Sequence, residues 1–161
     1  MKSKVVVFGQ GYVGLPLAVV SAQAGHSVVG IDPDIAKVSE IKAGESKIED
    51  ISNKNIKELL LSGKYQVQSE TEFESDTEII CVCVPTPLGA NHQPDLRFIQ
   101  AAAKSVGRSL KPEMLIIIES TIQPGATRNV ILPILEEYSG LQTNQFLLAY
   151  SPERIDPMNK N

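Results

Sequence analysis

Residues 5–34 read VVVFGQGYVGLPLAVVSAQAGHSVVGIDPD, and the hydrophobic pattern there passes from strand to helix and back to strand. KVVVFG (4–9) is a continuous β-branched, apolar run of the kind a buried parallel strand needs. From Tyr12 to Ala24 apolar residues fill most of a predicted helix, with Gly25 in the usual place of a C-terminal cap. HSVVGID (26–32) predicts a second strand. Between strand and helix stand Gly9, Gly11 and Gly14 in the spacing G-x-G-x-x-G, and Asp32 closes the second strand. By itself the glycine pattern is permissive. In a strand–turn–helix–strand setting with an acid at the end, each part has a task in holding a dinucleotide. Gly9 permits the tight turn, Gly11 lets backbone approach a pyrophosphate, and Gly14 lets the helix lie close to the sheet. The diphosphate would rest on N–H groups at the helix N-terminus, around Tyr12 and Val13, where the macrodipole favours anions. The Asp32 carboxylate would accept hydrogen bonds from the adenosine ribose and repel an added phosphate. Neither Pro33 nor Asp34 after it brings a cation, so the expected cofactor is NAD, with NADP disfavoured and FAD a lesser alternative.

The alternation continues along the chain. Pro33 suits the first turn of a helix running to Gly44, and NKNIKELLLSG (53–63) predicts another short helix. YQVQS (65–69) alternates weakly, as an edge strand would, and TEIICVCVP (77–85) reads as a buried strand. LGANHQPD (88–95) is a loop by its Gly, Asn and Pro content, with Asp95 placed to cap LRFIQAAAKSVGRSL. EMLIIIEST (113–121) is a further buried strand, and QFLLAYSPE (145–153) is the last. The helix between them, GATRNVILPILEEYSG, carries Pro133 in its interior and should kink or break there. Strands alternating with helices predict an α/β fold with a doubly wound parallel sheet of the Rossmann kind, and one domain over residues 1–161.

The bulk numbers bound the function. With 161 residues, 42% hydrophobic and 21% charged, the chain has a globular composition. A net charge of −4 without a basic stripe argues against nucleic acid as a partner, and no apolar run approaches a membrane span. The N-terminus breaks into glycines where a signal peptide needs an apolar stretch, so the expected location is cytoplasmic. Cys81 and Cys83 lie two apart in a predicted strand, with His26 and His92 distant in sequence. Such a pair is awkward for a disulfide and too few for a metal site, so the expectation is apolar cysteines and no metal.

Three further segments follow the fourth, fifth and sixth predicted strands: VPTP (84–87), EST with QPGAT (119–127), and SPERIDP (151–157). In an open α/β sheet that edge is where ligands bind. Together with GQGYVGLPLA they resemble the NAD-binding domain of the UDP-glucose/GDP-mannose dehydrogenase family, in order and across the whole chain. SPERI is more similar to the UDP-N-acetylglucosamine and UDP-N-acetylmannosamine 6-dehydrogenases than to the UDP-glucose enzymes, which more often carry Asn-Pro-Glu-Phe.

The resemblance implies oxidation of a sugar C6 alcohol to the carboxylate in two NAD-dependent hydride transfers, with a cysteine capturing the aldehyde stage and hydrolysis of the resulting thioester releasing the acid. By position it puts Pro85 and Thr86 beside the nicotinamide end. Ser120 and Thr121 would line the reaction site, and Thr121 would hold a catalytic water. Glu153 would assist hydrolysis, and Arg154 would face the sugar nucleotide. It also implies that the nucleophile, the dimerisation region and most of the UDP-sugar site lie in further segments. This chain is then expected to be an inactive N-terminal fragment of a protein that forms a homodimer or larger assembly. Two alternatives stay open: a stand-alone dinucleotide-sensing regulatory domain, and a UDP-glucose 6-dehydrogenase.

Overall fold

Six strands form a single sheet, all parallel, with helices on both faces, in a computed structural model that describes residues 2–49, 51–89 and 94–152. The strands are β1 (Lys4–Phe8), β2 (Ser27–Ile31), β3 (Tyr65–Gln68), β4 (Ile79–Val82), β5 (Leu115–Ile118) and β6 (Leu147–Tyr150). Their spatial order is β3-β2-β1-β4-β5-β6, so the chain winds outward from β1 to one edge, then returns to wind outward to the other. This is the Rossmann arrangement, and its switch point lies between β1 and β4. The weakly alternating YQVQ segment is indeed an edge strand.

The register shows why the central strands carry apolar residues on both faces. Val29, Val6, Ile80, Ile116 and Leu148 lie side by side in one row across the sheet. The adjacent row is Gly30, Val7, Cys81, Ile117 and Ala149, and it faces the other way. The first row packs against α4 (Arg97–Ser109) and α5 (Leu132–Ser139). Inward residues of α4 fall at Ile99, Ala102, Ala103 and Val106, the spacing of one helical stripe. The second row packs against α1 (Gly14–Gln23), α2 (Ile35–Lys42) and α3 (Asn53–Leu61).

Three local expectations meet the structure with adjustments. Gly25 follows α1 with φ +100, the left-handed backbone that ends a helix at glycine. Around Pro133 the predicted helix is divided: a π turn, Thr127–Ile131, leads into α5, which carries the proline in its first turn. Proline has no N–H to give to an α-helical ladder, and the wider turn before it absorbs the change of register. Asp95 stands one residue before the boundary of α4, where Leu96 occupies the cap position. Its carboxylate still accepts the Arg97 N–H at 3.0 Å and the Arg97 guanidinium at 2.7 Å, and that contact holds its pKa down at about 2.

Candidate functional site: a dinucleotide cleft

The C-terminal ends of β1, β2, β4 and β5 open into one cleft of about 400 Å³. One end is lined by Asp32 and Lys37, the middle by Gly9, Gly11, Tyr12 and Val13, and the far end by Pro85, Thr86, Glu119, Ser120 and Thr121. Residues predicted from three separate stretches of sequence therefore meet along one groove. Glu153 and Arg154 lie outside the described residues.

The glycine turn is built on clearances. Gly9 has φ +86, and a Cβ there would come within 2.5 Å of the Cys83 carbonyl oxygen. A Cβ on Gly14 would collide with the Gly9 carbonyl and press on the Cys83 side chain. Gly11 differs: a Cβ there would meet no protein atom within 4 Å. Its constraint comes from the open cleft rather than from packing. The first hydrogen bonds of α1 are accepted by the carbonyls of Gly11 and Val13, which leaves the N–H groups of the first turn outside the helical ladder. Val13, at the cap position, has no side chain to satisfy them. A turn without a Cβ, an uncapped helix end and an enclosed carboxylate eighteen residues on from Gly14 suit the diphosphate and ribose of a dinucleotide. When bound, such a cofactor would supply a hydride acceptor.

Behind the turn lies a polar brace that reading the sequence missed. Gln10 is 1% exposed; its amide donates to the Val7 carbonyl at 2.8 Å and the Gly9 carbonyl at 3.2 Å. Its own carbonyl accepts the Tyr65 hydroxyl at 2.7 Å, and burial, with the nearby Asp32 charge, drives that phenol well above its ordinary value. Gly30 makes room for the Gln10 amide, because a Cβ there would lie 2.6 Å from it. No sequence signal marks this link, since Gln10 falls on a variable position of the motif and Tyr65 on a remote strand.

Asp32 is 5% exposed. Its Oδ2 accepts the Gln10 N–H at 2.8 Å, and its Oδ1 accepts the Asp34 N–H at 3.0 Å. A cation does stand beside it: Lys37 Nζ lies 2.8 Å from Oδ2. Pro33 and Asp34 bring no cation, as expected, but a residue further on does. Lys37 is five residues on, and the first turn of α2 brings it back over the carboxylate, a return that inspecting only the next two residues could not show.

At the other end two hydroxyls are engaged with backbone. Thr86 donates to the Thr121 carbonyl at 2.6 Å, and Ser120 donates to the Val84 carbonyl at 2.7 Å. These bonds tie the loops after β4 and β5 together and shape the wall of the cleft. Thr121 is exposed there, and Glu119 stands beside it half-buried. Of the cysteines, Cys81 is buried in the sheet, and that burial, with the Glu119 charge, pushes its thiol up to about 12. Cys83 is half-buried and lines the cleft itself. Among the described residues no group of three or more metal-ligating side chains occurs, and no helix is long and apolar enough to cross a membrane.

The family model for the NAD binding domain of the UDP-glucose/GDP-mannose dehydrogenases matches residues 3–161. The chain belongs to that family. Its cofactor is accordingly NAD. The chain is 39% identical to a UDP-N-acetyl-D-glucosamine 6-dehydrogenase of Pseudomonas aeruginosa, over 98% of this chain and 36% of the relative. It is 34% identical to the protein CapL of Staphylococcus aureus, over 99% of this chain and 37% of the relative. Among solved structures, the UDP-D-ManNAc dehydrogenase of Pyrococcus horikoshii superimposes with a TM-score of 0.88 at 35% identity, covering 96% of this chain and 37% of that one. The chain therefore spans a little over a third of the length of the dehydrogenases it matches.

Proposed function

We propose that this chain is the cofactor-binding part of a UDP-N-acetylhexosamine 6-dehydrogenase, oxidising the sugar C6 alcohol to the carboxylate in two NAD-dependent hydride transfers. The observation that carries the reading is the cleft, which places a dinucleotide turn at one side of the switch point and the VPTP and EST loops at the other. The relatives named for UDP-N-acetylglucosamine and UDP-D-ManNAc support this choice of sugar.

In this reading Pro85 and Thr86 flank the nicotinamide, the Thr86–Thr121 bond sets the width of that end, and Ser120 holds the loop through Val84. Thr121 orients the water that releases the acid, and Glu153 takes its proton. Arg154 faces the sugar nucleotide. The aldehyde is captured as a thiohemiacetal on a cysteine outside this chain, and the second hydride transfer to NAD+ oxidises it to the thioester that water cleaves; Cys81 is enclosed in the sheet and Cys83 stands beneath the glycine turn. The remaining UDP-sugar contacts, and assembly as a homodimer or larger, belong to the segments that make the relatives longer.

The test has two parts. The chain alone is expected to bind NAD+ and to form no NADH when UDP-N-acetylglucosamine is added; NADH formation by it would overturn the division of labour proposed here. In the whole protein, NADH is expected from UDP-N-acetylglucosamine or UDP-N-acetylmannosamine. Preference for UDP-glucose or GDP-mannose would overturn the choice of sugar.

A further inference from the structure

Three donors converge on the Asp32 carboxylate. The Gln10 and Asp34 N–H groups are fixed by the backbone of two turns, and the Lys37 ammonium arrives on a flexible stem from α2. The Asp32 side chain is 6% exposed and that of Lys37 is 37% exposed, so the pair is enclosed on the acid's side and open on the lysine's. Asp34, the other acid nearby, turns its carboxylate to the Ala36 and Lys37 N–H groups at the start of α2. What surrounds Asp32 is thus an anion site already filled by a side chain, and the side chain filling it sits where the adenosine ribose binds.

We infer that Lys37 is a latent partner for a ribose 2′-phosphate, and that Asp32 alone keeps this cleft selective for NAD. The inference rests on the NAD assignment. Rejection of NADP by an acid at the end of the second strand depends on an uncompensated negative charge. Here the charge is met by an ammonium at contact distance, so repulsion is blunted, and exclusion comes mainly from Asp32 occupying the donors. A small neutral residue in its place releases two backbone N–H groups and one ammonium toward the 2′ position. Those are the kinds of donors that phosphate oxygens take.

Calorimetric titration with NAD+ and NADP+ of the wild-type chain, D32S, K37A and the double variant tests this. The wild type is expected to prefer NAD+. In D32S, NADP+ affinity itself should rise, by about tenfold to a hundredfold, the equivalent of one charge-assisted hydrogen bond gained. Adding K37A should abolish that rise. K37A in the wild-type background, which bares Asp32, should widen the preference for NAD+. A D32S protein whose NADP+ affinity does not rise, or whose gain survives K37A, overturns the inference. Because D32S strips an acceptor from two backbone N–H groups, the K37A single variant decides alone if D32S does not fold, and an unchanged preference there also overturns it. A wild-type chain that binds neither dinucleotide overturns the NAD assignment instead, which its own NAD+ titration reads separately.

Discussion

Gly11 and Gly14 are three residues apart in the same motif, and the structure gives them opposite reasons for being glycine. The Gly14 Cα faces the Gly9 carbonyl, whereas the Gly11 Cα faces open space. Gly14→Ala is therefore expected to destabilise the fold by about 1–3 kcal/mol, the usual range for overpacking, and to lose NAD+ affinity with it. Gly11→Ala should leave stability within about 0.5 kcal/mol, as a substitution without new contacts does, while still weakening NAD+ by filling the space a diphosphate needs. Denaturant unfolding and NAD+ titration on the two variants separate these effects. The cysteines divide similarly. Burial raises the Cys81 thiol to about 12. At pH 8 its thiolate fraction is on the order of 10⁻⁴, and the thiolate is the reactive form. Iodoacetamide at pH 8 is expected to spare Cys81 and to modify Cys83 first, with NAD+ slowing the reaction at Cys83, as mass spectrometry of the labelled peptides would show.

Among the connecting elements, the turn before β5 holds a residue against its preference. Lys111, Pro112, Glu113 and Met114 form a turn closed by the Met114 N–H on the Lys111 carbonyl at 3.4 Å, and Glu113 has φ +70. Proline followed by a residue of positive φ is the pattern of a type II turn, which favours glycine at the third position. Glu113→Gly should stabilise the chain by about 1 kcal/mol, the left-handed strain relieved less the entropy glycine loses on folding, and urea midpoints would measure it. Elsewhere helix pairing depends on small residues in ways the periodicity does not display. A Cβ on Gly107 of α4 would lie 2.7 Å from the Tyr138 Cβ of α5, so glycine sets how closely the helices approach. Close packing there also puts Lys104 and Arg108 over the Tyr138 ring, 5.7 and 5.5 Å from its centre.

For the molecule as a whole, the cofactor should act as a structural element. The cleft is bounded by the ends of four strands, so a dinucleotide lying in it touches both halves of the doubly wound sheet. Ligand that binds only the folded state at a hundred times its dissociation constant stabilises by about 2.7 kcal/mol. For a chain of this size that corresponds to a rise in melting temperature of roughly 5–10 °C. Thermal melts with and without NAD+ check this, and adenosine alone, which lacks the diphosphate, is expected to give a much smaller rise.

The parallel sheet, the order of helices and strands and the glycine turn were legible from residue pattern, because strand and helix periods are local and a G-x-G-x-x-G turn carries its chemistry within six positions. Asp32 was legible for the same reason: it ends the strand that follows the turn. That Thr86 and Ser120 spend their hydroxyls on the carbonyls of Thr121 and Val84 was not, since both bonds join loops more than thirty residues apart. The Gln10–Tyr65 brace joins the glycine turn to the edge strand β3 and has no linear signature at all. Lys37 lies between these cases, near in sequence yet turned onto Asp32 only once α2 has formed. The sequence by itself determined which chemical groups border the cleft. Tertiary structure decided which of them are engaged with other parts of the chain, because hydrogen-bond partners are chosen by distance in space, which the winding of the sheet sets.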